Sequence, residues 1–181
     1  MIPELPAVFL EYPIAHRALH DASQGRPENS AAAVQAAVEA RFAIEIDVQV
    51  SSDNVPVVFH DYDIQRLTNG RGAVNKRAAG DLKTVPLMYG GGAGIPMLSE
   101  VLDIVGGKVP VLIEIKDQDG ALGPEVGTLE AAVADAVNAY SGPVAVMSFN
   151  PHSVAAMQTL APDVPRGLVT EYFRDEDWCI P

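Results

Sequence analysis

Two acidic residues share one face of a short segment in which polar and apolar residues alternate. Within Ala43 to Val50, the residues Glu45, Asp47 and Gln49 hold odd-numbered positions, while isoleucine and valine hold the even-numbered ones. A period of two predicts a β-strand with one apolar face and one acidic face. Two carboxylates about 7 Å apart along such a face repel each other in a core unless a cation or a proton relieves the repulsion.

Four more ionisable residues stand at the ends of predicted strands. His16 and His60 end two of these strands, and Glu114 and Lys116 share one face of another. Taken singly, each histidine could be an ordinary core or loop residue, and the acids could form a structural ion-pair network with Lys116. Three carboxylates against one lysine leave surplus negative charge, however, and this favours a bound cation.

The elements that must position these residues alternate between strands and helices. Apolar runs and turn residues predict strands over residues 11–16, 43–50, 55–60, 109–116, 143–150 and 166–172. Helical spacing and capping residues predict helices over residues 29–40, 97–105, 124–140 and 151–160, the first capped by Asn29 or Ser30. Residues 62–94 are rich in glycine and show no sustained period, so they predict an insertion after the third strand, with a short helix over residues 76–83.

Strand-helix alternation predicts a parallel sheet covered by helices. An open sheet has no place for charges in mid-strand, whereas a TIM-type (β/α)8 barrel can turn them inward near its C-terminal rim. Inward residues of one barrel layer come from alternate strands. We therefore expect Glu45, Asp47 and Glu114, on the second and fourth strands, to converge between His16 and His60.

Length and composition limit the function classes. A chain of 181 residues that is 48% apolar predicts one domain over residues 1–181. The net charge of −12 argues against nucleic-acid binding. No apolar run reaches the roughly 18 residues of a membrane span, so we expect a cytoplasmic protein without stable membrane insertion. Cys179 is the single cysteine and predicts no intrachain disulfide.

Five triplets together resemble the motifs of the glycerophosphodiester phosphodiesterase family. They are AHR (15–17), PEN (27–29), EID (45–47), FHD (59–61) and EIK (114–116), in the family's order. The resemblance implies a TIM barrel that hydrolyses glycerophosphodiesters, such as deacylated phospholipids, to glycerol 3-phosphate and an alcohol. The small-molecule diester is then the expected partner, and nothing in the sequence indicates an oligomeric state.

The resemblance also implies a role for each matching residue. His16 and His60 would be the general acid/base pair, and Arg17 and Lys116 would hold phosphate oxygens. One divalent cation would be bound by three acids, Glu45, Asp47 and Glu114. Oxygen ligands favour Mg²⁺ or Ca²⁺ at such a site.

The sequence departs from the family pattern in two ways. Ala18 stands where the family usually has glycine after His-Arg, and we expect this change to affect substrate specificity more than chemistry. Only six strands are visible, so the barrel is expected to be incomplete at the C-terminus of this chain.

Two alternatives stay open: a related phosphodiesterase acting on lysophospholipids or another diester, and a catalytically silent binding module of the same fold. Glu28 fits either a charge at a helix start or a partner of Arg17.

Overall fold

The computed structural model describes residues 3–170, in which helices alternate with the strands of one sheet. The strands are β1 (Ile14–Ala15), β2 (Ala43–Val50), β3 (Pro56–Val58), β4 (Val111–Ile115), β5 (Val144–Ser148) and β6 (Arg166–Leu168). The helices are α1 (Val8–Glu11), α2 (Ala31–Ala40), α3 (Ala79–Lys83), α4 (Leu98–Val105), α5 (Thr128–Ala139) and α6 (Pro151–Leu160). No helix within residues 3–170 is long and apolar enough to cross a membrane.

The sheet follows the order β1-β2-β4-β5-β6, with every neighbouring pair parallel. β3 lies outside this order and pairs antiparallel with β2. The interpretation of this segment as the third barrel strand is therefore wrong. The reason is the length of the connection: a parallel return needs a dozen or more residues, whereas the chain turns back between Ser51 and Val55, where the Ser51 N–H donates to the Val55 carbonyl at 3.1 Å.

β2 is the most deeply buried strand, and its two faces have different surroundings. Its apolar residues Ile44, Ile46 and Val48 are fully buried in the main core, together with apolar side chains of α2, α4 and α5. Its polar residues Glu45, Asp47 and Gln49 occupy the opposite face and are also buried. The amphipathic helices thus cover one side of the sheet, and the polar side is left for the site.

The insertion and β3 share a small second core. Its buried residues are Val57, Phe59, Ile64, Val74, Ala79, Leu82, Leu87 and Ile95. A 3-10 helix at Val74–Lys76 and the short helix α3 stand where one helix over residues 76–83 is predicted. Gly94 closes the insertion against α3, because a Cβ at this position would lie 1.9 Å from the carbonyl oxygen of Lys83.

Several boundaries differ from the sequence-based ones. The first predicted strand is reduced to the two residues of β1, because Glu11 belongs to α1. Ser30 rather than Asn29 caps α2, since its side chain accepts from the Ala33 N–H. β6 ends at Leu168, while Tyr172, the predicted end of that strand, and Cys179 lie outside the described residues.

Candidate active site

Three carboxylates form one cluster on the polar side of the sheet. Glu45 and Asp47 extend from β2, and Glu114 extends from β4, where it is the direct register partner of Asp47. One carboxylate oxygen of each residue lies within 4.8 Å of those of the other two. The predicted convergence is confirmed, but its cause differs from the expectation, because β2 and β4 are adjacent strands rather than alternate ones.

Lys116 is the cationic side chain in closest contact with this cluster. Its Nζ lies 2.7 Å from Asp47 Oδ1 and 2.5 Å from Glu114 Oε1. Burial lowers the pKa of this ammonium, but its hydrogen bonds to Asp47 and Glu114 outweigh that effect and raise the pKa above its ordinary value. Lys116 therefore stays charged and compensates part of the negative charge.

Glu45 is the carboxylate whose repulsion by the neighbouring acids Lys116 compensates least. Burial, followed by the nearby charge of Asp47, raises the pKa of Glu45 to about 7. Its Oε1 is buried and has no hydrogen-bond partner within residues 3–170, while its Oε2 accepts from the backbone N–H of Arg17 at 2.8 Å. A buried carboxylate oxygen with no partner next to two further acids is suited to binding a cation.

Arg17 lies between the acids and the loop that precedes α2. Its Nη1 donates to Glu28 Oε1 at 2.9 Å, and its Nε lies 3.7 Å from Asp47 Oδ2 without forming a hydrogen bond. Of the two interpretations of Glu28, the structure therefore supports the partner of Arg17. Arg17 and Ala18 both have positive φ angles, 55° and 63°, so the departure from glycine places a buried Cβ in a left-handed conformation.

Asn29 is a site residue whose role the sequence did not indicate beyond a possible helix cap. It is 1% exposed and has a φ of 57°. Its Nδ2 donates to Asp47 Oδ2 at 2.8 Å, and its Oδ1 accepts from the Asp47 N–H at 3.2 Å. Its position in the PEN triplet is the signal that could have pointed to this role.

The two histidines differ in exposure and in how firmly they are held. The His16 side chain is 72% exposed, and its Nε2 lies 4.0 Å from Glu45 Oε2. His60 is held more firmly: its Nδ1 lies 2.6 Å from Asp61 Oδ1, and its carbonyl accepts from Gln49 Nε2 at 3.1 Å. Because a carboxylate only accepts hydrogen bonds, Nδ1 carries the proton and Nε2 of His60 is the free nitrogen.

A cleft of about 450 Å³ opens beside His60 and Glu114, one of the three acids. It is lined by His60, Asp61, Tyr62, Glu114, Ile115, Lys116, Asp117, Gly120, Leu122 and Phe149. Asp117 shapes one wall, because its carboxylate accepts from the backbone N–H groups of Gly120 at 2.8 Å and Leu122 at 3.1 Å. Asp117 is a residue of the cleft that no sequence motif indicated.

The sequence of this chain matches the model of one known protein family. A sequence model described as the glycerophosphoryl diester phosphodiesterase family matches residues 16–177. This chain belongs to that family. The match includes all seven predicted site residues, from His16 to Lys116, and it confirms the resemblance seen in the five triplets.

Individual members of the glycerophosphodiester phosphodiesterase family show how far the likeness extends. A glycerophosphodiester phosphodiesterase of Caldanaerobacter subterraneus subsp. tengcongensis is 33% identical over 174 residues, covering 91% of this chain and 69% of the relative. A protein of the same name from Bacillus subtilis is 29% identical over 171 residues, covering 84% of this chain and 57% of the relative. The chain spans between 57% and 69% of the length of four curated relatives.

Solved structures of the family share this fold. An Oleispira antarctica phosphodiesterase, in complex with the product sn-glycerol-3-phosphate, matches with a TM-score of 0.77 at 27% identity, covering 89% of this chain and 67% of that one. A glycerophosphodiester phosphodiesterase from Agrobacterium tumefaciens matches with a TM-score of 0.71 at 29% identity, covering 86% of this chain and 65% of that one. The predicted α/β fold of the TIM-barrel type is confirmed, and residues 3–170 contribute five parallel strands and the antiparallel β3 to it.

Proposed function

We propose that this protein hydrolyses glycerophosphodiesters to glycerol 3-phosphate and an alcohol, using one divalent cation. The observation that carries the proposal is the cluster of Glu45, Asp47 and Glu114, whose oxygens lie within 4.8 Å of one another beside the cleft. Family membership and the product-bound Oleispira antarctica structure support the same reaction class.

The three acids fit a hard cation. They offer only oxygen donors, their side chains are at most 10% exposed, and one oxygen of Glu45 has no other partner. Mg²⁺ and Ca²⁺ are the cations that such donors prefer. When bound, a divalent cation offsets phosphate charge and polarises a phosphoryl oxygen.

The two histidines supply the proton transfers in this proposal. Asp61 holds the Nδ1–H of His60, so Nε2 can accept a proton from an attacking oxygen or return one to a leaving oxygen. His16, at the exposed rim near Glu45, serves the opposite oxygen. Water is consumed overall: its hydroxyl group ends on phosphorus and its proton on the released alcohol.

Two cationic side chains hold the phosphate oxygens. Lys116 lies in the lining of the cleft and carries its charge at neutral pH. Arg17 has a guanidinium nitrogen, Nε, that is buried and has no hydrogen-bond partner in the described part of the chain. Both groups can donate to phosphate oxygens that the acids alone would repel.

The test is release of glycerol 3-phosphate from glycerophosphocholine and glycerophosphoethanolamine. We expect a chelator to abolish turnover, Mg²⁺ or Ca²⁺ to restore it, and His16→Ala or His60→Ala to lower kcat by about 100- to 10,000-fold. His152→Ala, at an exposed position in the first turn of α6, is the matched control and should keep wild-type activity. Turnover that survives both the chelator and His16→Ala would refute the proposal.

The two alternatives give different results in the same assays. Faster turnover of lysophosphatidylcholine than of the deacylated diesters would indicate the related phosphodiesterase. Cation binding by calorimetry without turnover of any diester would indicate a catalytically silent binding module.

A further inference from the structure

Arg66 joins two carboxylates that come from separate parts of the chain. It ends the 3-10 helix Ile64–Arg66 at the start of the insertion. Its Nε and Nη2 lie 2.6 and 2.9 Å from the two oxygens of Asp61. Its Nη1 and Nη2 lie 3.1 and 2.7 Å from the two oxygens of Glu28, which is 38 residues away in sequence. Both contacts are therefore bidentate, a geometry that only a guanidinium provides.

Each of these carboxylates also binds a residue of the candidate active site. Asp61 accepts from His60 Nδ1 at 2.6 Å, and Glu28 accepts from Arg17 Nη1 at 2.9 Å. Burial raises the pKa of both acids, but the hydrogen bonds from Arg66, together with those from His60 and Arg17, lower both pKa values below the ordinary range. Both acids are thus charged at neutral pH. Arg66 links the Asp61–His60 pair to the segment from Arg17 to Asn29, here called the Arg17 arm.

The Arg17 arm has a strained backbone and needs contacts that hold it in place. Arg17, Ala18 and Asn29 all have φ angles between 55° and 63°, a region in which a side chain costs free energy. On the inner side, the segment is closed by the Asn29 N–H, which donates to the Arg17 carbonyl at 3.0 Å, and by the contacts of Asn29 with Asp47. On the outer side, the contact of Glu28 with Arg66 ties the segment to the insertion.

We propose that Arg66 is a positioning residue, which fixes the Asp61–His60 pair relative to the Arg17 arm so that the insertion sets the geometry of the site. Within the described residues, the hydrogen bonds and ion pairs of Arg66 go to Asp61 and Glu28 and not to the three acids or the histidine ring, so its effect passes through these two carboxylates. The inference rests on the proposed function, since its catalytic consequence presupposes that His60 transfers a proton. Small displacements of such groups are enough to slow a reaction.

The kinetic test compares Arg66→Gln and Arg66→Lys with Arg71→Gln, a change at an exposed arginine of the same insertion. We expect both Arg66 variants to lower kcat about 10- to 100-fold while KM changes less, because His60 moves but the cation site stays. A lysine should not restore the rate, since one ammonium cannot bind both carboxylates in a bidentate way. Arg71→Gln should behave as the wild type.

A double variant tests whether Arg66 acts through Asp61. If it does, the losses of kcat in Arg66→Gln and Asp61→Asn will not multiply in the combined variant. Multiplying losses, or a kcat of Arg66→Gln within about twofold of the wild type, would overturn the inference.

A readout without turnover separates this inference from the proposed function. The Nδ1 proton of His60 should give a slowly exchanging signal in ¹⁵N-histidine NMR spectra, assigned by its loss in His60→Ala. We expect this signal to broaden or vanish in Arg66→Gln and to persist in Arg71→Gln. If the wild type turns over no diester yet the signal responds in this way, the proposed function fails and the positioning role stands. An unchanged signal in Arg66→Gln overturns the positioning role whatever the activity.

Discussion

Glu45 is under opposing influences that make it the most informative single residue of the site. Its Oε2 is fixed by the Arg17 N–H, which favours the charged form, while burial and Asp47 favour the neutral form. The pKa of about 7 shows that the second influence is stronger when no cation is present. The residue therefore links protonation, cation binding and stability.

The metal-free protein should lose stability as pH rises from about 5 to 8. The pKa of Glu45 in the folded chain lies above that of an ordinary glutamate, so its contribution is fully present below the ordinary value and is lost as pH rises through about 7. A shift of this size corresponds to a loss on the order of 3 kcal/mol. Urea unfolding in the presence of a chelator, at a series of pH values, measures it.

Glu45→Gln should flatten that pH dependence, because glutamine does not titrate and its oxygen can still accept from the Arg17 N–H. Glu39→Gln, at an exposed position of α2, is the matched control and should leave the curve unchanged. Parallel curves for the wild type and Glu45→Gln would contradict the assignment of the pKa to this residue.

At the residue scale, the sequence predicted the convergence of the three acids but not the contacts of Arg66. Glu45, Asp47 and Glu114 lie on the polar faces of two predicted strands in recognisable triplets, so residue type and spacing were enough to predict that they converge. Arg66 lies in a segment without periodicity, and its partner Glu28 is 38 residues away. Such a contact depends on how the insertion packs against the site, and local sequence carries no signal for it.

At the scale of elements, β3 shows that sequence periodicity predicts a strand but not how that strand pairs. Its apolar residues identify a strand, but a pattern does not name the partner strand or the direction of pairing. The antiparallel pairing of β3 with β2 makes β2 and β4 neighbours, and this brings Asp47 opposite Glu114. The convergence of the three acids was thus predicted from an incorrect strand order.

The loop after β4 depends on one carboxylate. Asp117 is 7% exposed and accepts from Asn150 Nδ2 at 2.8 Å, as well as from the backbone of Asp119, Gly120 and Leu122. Burial raises the pKa of Asp117, but these hydrogen bonds lower it below its ordinary value. The loop and the start of α6 are therefore held together by a charged acid.

Asp117→Asn should loosen this wall of the cleft. An amide group would face backbone donors, and we expect the free energy of unfolding at pH 7 to fall by about 1–3 kcal/mol. Because the pKa of Asp117 is lowered in the folded chain, its contribution is present at neutral pH and is lost as pH falls through that pKa, so the two proteins should converge in acid. Urea unfolding at both pH values and hydrogen exchange of residues 118–123 measure the effect.

Asp135→Asn, at an exposed position on α5, is the control for Asp117→Asn and should change neither measurement. Faster exchange spread evenly over the sheet, rather than confined to this loop, would contradict the local role of Asp117.

At the scale of the whole molecule, charge is unevenly compensated. The chain carries 24 acidic residues against 12 lysines and arginines, and three of the acids are buried around the one ammonium of Lys116. Self-repulsion of this kind destabilises the folded state, and a ligand that binds only the folded state offsets it. Cation binding should therefore stabilise the whole chain and not only activate the site.

The melting temperature of chelator-treated protein should rise when Mg²⁺ or Ca²⁺ is added. At a cation concentration of 100 times Kd the stabilisation is about 2.7 kcal/mol, which corresponds to a rise of about 5 to 10 °C for a chain of this size. The comparison must be made at constant ionic strength, set with NaCl, because general screening also weakens acidic repulsion. Glu114→Gln should lose most of the rise, while Asp103→Asn, at an exposed position on α4, should retain it. An equal rise in Glu114→Gln and Asp103→Asn would show that the cations act on surface charge, and the buried cluster would then not be the site that binds them.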